Sequence, residues 1–137
     1  MNQIQKSKQA VVDVFYLKKD DLLGNSNHVD IDTYISIEDG SFVKNALEQG
    51  GMNPYKLKQF ALVESVKIDY DSVDEIPEKI FAKFNSDDNP LASASGQAKI
   101  RELGLSHTSM SMGDFIVING RVIAIALDIG WDFIGHL

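Results

Sequence analysis

The sequence predicts an α+β fold: a central, mostly antiparallel sheet or small barrel, two to three short packed helices, and a C-terminal β-hairpin. Three observations carry the prediction. Asn119-Gly120, the favoured pair for a two-residue type I′ turn, stands between Phe115-Ile116-Val117-Ile118 and Val122-Ile123-Ala124-Ile125-Ala126-Leu127. Residues 59–70 alternate in the period of a strand, with Phe60, Leu62, Val66, Ile68 and Tyr70 on one side. Elsewhere apolar residues recur at helical spacing in short stretches bounded by Gly, Pro or Ser.

Residues 1–9 are polar and read as a frayed tail. Val11, Val12, Val14, Phe15, Tyr16 and Leu17 then form a β-rich run, the expected first strand. Gly24-Asn25-Ser26-Asn27 reads as a loop. After it Val29, Ile31, Thr33 and Ile35 alternate with Asp30, Asp32, Tyr34 and Ser36, the pattern of a half-buried strand. Asp39-Gly40-Ser41 supplies a turn and an N-cap, Phe42, Val43, Ala46 and Leu47 share a helical face, and Gly50-Gly51 ends that helix. In the strand of residues 59–70, Glu64 interrupts the apolar side. A carboxylate there is either a pocket group or the partner of a lysine at the sheet margin.

Pro77 fits the first turn of a helix whose Ile80, Phe81 and Phe84 point to the sheet. Residues 86–90 form a loop, and a further helix starts between Asn89 and Ser95 and ends at Gly104. Both arms of the final hairpin are apolar on both faces, which places it inside a sheet covered from both sides or in a barrel wall. Trp131, Phe133 and Ile134 supply a closing strand.

At 137 residues and 44% hydrophobic content, the chain suits one compact core, and a single domain over residues 1–137 is expected. The absence of cysteine removes disulfides, thiolate metal sites and cysteine nucleophiles. The opening MNQIQKSKQA has no apolar core and the longest apolar stretch, residues 115–127, is broken by Asn119, Gly120 and Arg121, so neither a leader nor a membrane partner is expected, and the expected location is the cytoplasm. A net charge of −7 opposes attraction to bulk nucleic acid. The acidic residues gather in two runs: one holds Asp30, Asp32, Glu38 and Asp39, the other Asp69, Asp71, Asp74, Glu75 and Glu78. Such runs are ordinarily solvated faces. Here Asp30, Asp32, Asp69, Asp71, Asp74 and Glu75 are also the candidate acidic interaction surface, one that could imitate a nucleic-acid backbone.

The hydroxyl-rich segment of residues 106–114 is the first candidate for a functional surface. Its candidate contact residues are Ser106, His107, Thr108, Ser109, Ser111 and Asp114, together with Trp131. A nucleophilic reading pairs Ser109 or Ser111 with His107 as base and Asp114 as orienter, but neighbours in an extended chain point to opposite sides. A bland reading has these side chains bond nearby backbone while Met110 and Met112 fill core gaps. Between the two lies anion binding by backbone amides around Gly113, weakened by the lack of Lys or Arg in the loop. His28 near Asp30 and Asp32, and Asp87 near Asp88 and Asn89, lack the spacing of metal sites. No metal and no cofactor is expected.

Leu105-Ser106-His107-Thr108-Ser109-Met110-Ser111-Met112-Gly113-Asp114, Ile116-Val117-Ile118, Asn119-Gly120 and Asp128-Ile129-Gly130-Trp131-Asp132-Phe133-Ile134 together resemble the YodL-like domain and related small proteins of tailed bacteriophages and mobile elements. That pattern runs Ser-hydrophobic-Ser-Val-Gly-Asp-Val, a strand, a turn, and a strand ending Asp-Ser-x-Gly-Phe. The likeness covers about the last 33 residues and departs from the pattern at Met112 and Trp131. It carries over no reaction and no catalytic residue. It implies a phage or plasmid accessory protein, and such small acidic proteins often bind a host protein.

The expected function is therefore a non-enzymatic binding protein of phage or mobile-element origin that engages a host or phage protein, inhibiting a defence or nucleic-acid-handling complex. The alternatives are a small barrel-like module that reads a nucleotide or modified base, and a small hydrolase using Glu64, His107 or Ser111.

Overall fold

The computed structural model describes residues 8–19 and 31–136. Its strands are β1 (Lys8–Leu17), β2 (Phe60–Tyr70), β3 (Phe115–Ile118), β4 (Val122–Ala126) and β5 (Trp131–His136). They form one sheet in the order β2-β1-β3-β4-β5, every neighbouring pair antiparallel. Among the described residues the helices are α1 (Ile31–Glu38), α2 (Ser41–Gln49), α3 (Ile76–Phe84) and α4 (Ala94–Glu102).

The expected hairpin is present as β3 and β4. Asn119 and Gly120 have φ of 52° and 68°, the positive pair that a type I′ turn demands, and Arg121 N–H closes the turn on Ile118 O at 3.0 Å. The turn is also fastened to β1. Asn119 N–H donates to Val11 O (2.8 Å), and its side-chain oxygen accepts from Val11 N–H (2.9 Å).

Both faces of the sheet are covered, as the two-sided apolar arms require. On one face Val12, Val14 and Tyr16 of β1, Ile116 and Ile118 of β3 and Ala124 of β4 pack with Ile76, Ile80 and Phe84 of α3 and Ile100 of α4. On the other, Phe15 and Leu17, Phe115 and Val117, and Ile123 and Ile125 pack with Ile37 of α1 and Val43 and Leu47 of α2.

Several expectations are corrected. The sheet does not close into a barrel: its ends are β2 and β5, which do not pair. Lys8 and Gln9 belong to β1, paired with Tyr70 and Asp69, and are not part of a tail. The loop at Gly24-Asn27, with His28 and Val29, lies outside the described residues. The strand expected over residues 29–36 is helix α1 from Ile31 onward. Only Ile37 of that helix is buried, while Ile31, Tyr34 and Ile35 are exposed, so the alternation that imitates a strand is an outward i, i+3, i+4 stripe. The N-cap of α2 falls within the expected Asp39-Gly40-Ser41 turn, at Gly40 with φ 83° and no side-chain bond. Asp39 instead accepts from Ser41 N–H at 2.9 Å, and Ser41 holds the Asp39 carboxyl below its ordinary range, through its hydroxyl first and its amide second.

β2 carries a bulge. Val14 stands opposite Glu64 and Phe15 opposite Leu62, which leaves Val63 as the extra residue. The bulge shifts parity, so Ala61 and Val63 before it and Val66, Ile68 and Tyr70 after it meet the same core, with Phe60 on the other. A single unbroken alternation over residues 59–70 is therefore incorrect. Glu64, at the bulge, lies 3.9 Å from Lys99 of α4, the marginal ion pair foreseen as its structural role.

Candidate functional site

Asp114 ends the 106–114 segment and is fully buried. One oxygen accepts from Leu17 N–H (2.8 Å) and from the Lys19 ammonium (3.1 Å); the other accepts from Ser111 N–H (2.9 Å). His107 Nε2 is buried 3.6 Å from that second oxygen, without a hydrogen-bond partner. Lys19 also donates to the Ser111 hydroxyl. Burying a carboxylate is costly unless it is paired and hydrogen-bonded, and here the end of β1 supplies both kinds of partner.

Tyr16 seals the site from below. Its ring stacks on His107 with centroids 4.8 Å apart, and its hydroxyl donates to Thr108 O at 2.7 Å. Burial, helped by the Asp114 charge, pushes the Tyr16 hydroxyl well above its ordinary pKa, so it stays a donor. Asn89 donates to Phe84 O (2.7 Å) and Thr108 O (2.9 Å) while accepting from Leu91 N–H (2.9 Å). Asn85 donates to Met110 O at 3.1 Å. Met110 is buried in the core of α3 and α4, and Met112 packs on the opposite one.

The structure thus gathers His107, Ser111 and Asp114, and adds Lys19 and Tyr16, which the sequence reading missed. Among the described residues no hydrogen bond joins His107 to Ser109 or Ser111, the pairing that a serine nucleophile requires. The Ser111 hydroxyl instead accepts from an ammonium held by Asp114. This geometry ties the loop to the end of β1.

Ser106 and Thr108 face elsewhere, lining a cleft of about 380 Å³ with Arg101, Gln97, Ile100 and Leu105. Arg101 is the cation that the loop itself lacks. It sits in the last turn of α4, where the carbonyl end of the helix dipole opposes an anion.

Trp131 belongs to neither group. With Phe81 edge-on at 6.2 Å, it lines a second cleft of about 400 Å³ together with Glu78, Leu127, Asp128 and Ile129. A third cleft, of about 330 Å³, lies across the same turn, between Ile35, Glu38 and Asp39 on one side and Leu127, Asp128 and Ile129 on the other. Ile129 is 88% exposed at the crest between them. Among the described residues neither cleft is lined by a lysine or an arginine.

The candidate acidic residues do not form one patch. Asp32 is in the first turn of α1, whose buried residue joins one core. Asp69, Asp71, Asp74 and Glu75 cluster where β2 leads into α3, on the other. There Glu75 accepts from Asp71 N–H and lies 3.4 Å from Lys79, whose ammonium also donates to Asp69 O (2.8 Å). Asp71 N–H is the main cause, and Lys79 a lesser one, of a Glu75 pKa below the ordinary range. Asp30 lies outside the described residues. Among the described residues no group of His, Asp and Glu is placed to hold a metal ion, and no helix is long and apolar enough to cross a membrane.

Compared with protein-family models, curated proteins and solved structures, the chain matches none.

Proposed function

We propose that this is a non-enzymatic binding protein that engages a cationic segment of another protein through the surface around the β4–β5 turn. One observation carries the reading: Ile129 stands 88% exposed between two clefts whose charged lining is Glu38, Asp39, Glu78 and Asp128. An isolated exposed isoleucine is common, but one flanked by two apolar-floored clefts with charge of a single sign has the anatomy of a docking patch. The acidic rim selects a basic partner and speeds encounter with it. Membership among phage or mobile-element accessory proteins, and a host defence or nucleic-acid-handling complex as target, extend this reading on the strength of the C-terminal resemblance.

The test is capture from bacterial lysate by the tagged chain. Ile129→Asp is expected to reduce recovery of a discrete partner about tenfold, as loss of a central anchor does. Val11→Asp, at another exposed apolar position, is expected to leave recovery unchanged. Hydrogen-exchange protection on the partner should map to a segment rich in lysine or arginine. Equal recovery by Ile129→Asp, or a contact segment without basic residues, overturns the proposal.

A further inference from the structure

The two edges of the sheet are guarded differently. β2 carries Glu64, Lys67 and Asp69 and the bulge at Val63, the charges and irregularity with which folded proteins blunt an edge against strand addition. β5 is guarded less over residues 131–134, since its register shift falls beyond them, at Gly135. Its one acidic residue there, Asp132, is paired with Lys44 of α2.

The backbone of β5 is aimed outward at two known residues. Ala126 of β4 directs both its backbone groups toward β3: its N–H donates to Asp114 O (2.9 Å), and its carbonyl accepts from Gly113 N–H (2.8 Å). Trp131 is the partner of Ala126 across the β4–β5 ladder. The N–H and C=O of Trp131 must therefore point away from β4, out of the sheet, and those of Phe133 with them, because the direction recurs at every second residue. The same two residues provide an aromatic shelf. Trp131 meets Phe81 edge to face, and Phe81 and Phe133 are 41% and 39% exposed. At the end of the shelf lies the cleft of about 400 Å³, whose Glu78 and Asp128 have no ion pair among the described residues.

We propose that the outer edge of β5 accepts an extended segment of the partner as a sixth strand. The backbone of that segment pairs with Trp131 and Phe133, and one of its lysine or arginine side chains lies in the cleft. There the aliphatic stem covers Phe81 and Trp131, and the cationic head sits between Glu78 and Asp128. This rests on the binding-protein reading and gives it a mode. A second copy of the chain fits the edge less well, because each copy brings a net charge of −7 and the same acidic cleft.

The probe is a short capped peptide alternating valine with arginine, titrated into the isotope-labelled full chain. Resonance shifts are expected on β5, the turn before it and Phe81, with slowed amide exchange at Trp131 and Phe133. Methylating alternate peptide nitrogens should abolish binding, exchanging arginine for glutamate should do the same, and Glu78→Gln with Asp128→Asn should weaken it about fivefold at low salt. No binding, undiminished binding of the methylated peptide, or shifts confined to another surface overturns the proposal, as does a dimer of the free chain that buries β5. Phe133→Pro separates this failure from failure of the broader reading, since it removes an outward N–H without touching the bonds to β4. Strand addition predicts that Phe133→Pro loses the lysate partner. A folded Phe133→Pro chain that keeps the partner while Ile129→Asp loses it overturns strand addition and leaves the binding function standing.

Discussion

Asp114 is where a single side chain holds most. It joins the end of β1, the loop before β3 and the ammonium of Lys19, a residue 95 positions away in the chain. Replacing it with alanine strands two backbone donors and a cation whose side chain is only 17% exposed. Asp114→Ala is expected to cost about 3–4 kcal/mol, a large share of a typical domain's stability. Lys19→Met should cost nearer 1 kcal/mol, because the carboxylate keeps its two amides and Lys19 can reach solvent. Urea unfolding midpoints of the two variants check this, and equal losses would show that the ion pair, not the amides, is what matters. The loop itself was legible: a serine-rich stretch ending in Gly113-Asp114 before an apolar strand announces side chains that bond backbone. Lys19 was not, since nothing in a sequence relates residues that far apart. His107 with Ser111 was half legible: the grouping with Asp114 was considered but set against the opposite directions of neighbouring side chains, and the aromatic stack of His107 on Tyr16 was not foreseen.

The elements were read well where a turn or cap fixes them chemically and poorly where only periodicity spoke. Asn119-Gly120 locates the β3–β4 hairpin because few other pairs take positive φ twice in succession. Ser93, which accepts from Gly96 N–H at 3.0 Å, starts α4 inside the expected window. By contrast, residues 31–37 satisfy both a period of two and an outward helical stripe, and no cap among the described residues decides between them. The bulge at Val63 was invisible for a related reason: one inserted residue leaves a run that still alternates on paper. Gly96 shows an element constrained by its neighbour. In an ordinary helix Gly→Ala is worth about 1 kcal/mol of added stability. Here a Cβ on Gly96 would stand 2.5 Å from Leu91 Cα and 2.6 Å from Pro90 O, backbone atoms that cannot rotate away. Gly96→Ala is therefore expected to destabilise by about 2 kcal/mol, as overpacking does. A raised thermal midpoint would show that the turn before α4 yields.

At the scale of the whole molecule, strand order decides what is protected, and strand order was the least legible feature. An open sheet and a small barrel share the same strands and hairpin, and differ only in whether β2 meets β5. The sheet stays open because α3 and α4 cover one face and α1 and α2 the other, so the strands have no need to curl into a shared interior. Such a sheet should open from its ends. β1 and β3 are paired on both sides and covered on both faces, and β4 is paired on both sides by β3 and β5. The amides that bond among these central strands, Phe15, Ile116 and Ala124 among them, should exchange only through global unfolding, with protection tracking the free energy measured in urea. β5 is bonded on one side alone, so Trp131 and Phe133 should exchange several orders of magnitude faster in the free chain, while the inward amide of Asp132 is intermediate. Amide exchange followed residue by residue distinguishes the cases. If Trp131 and Phe133 are as slow as Ala124, the edge is already covered and the molecule has no open strand to offer. If they are fast while the centre holds, the chain has kept one edge unpaired at no cost to its core.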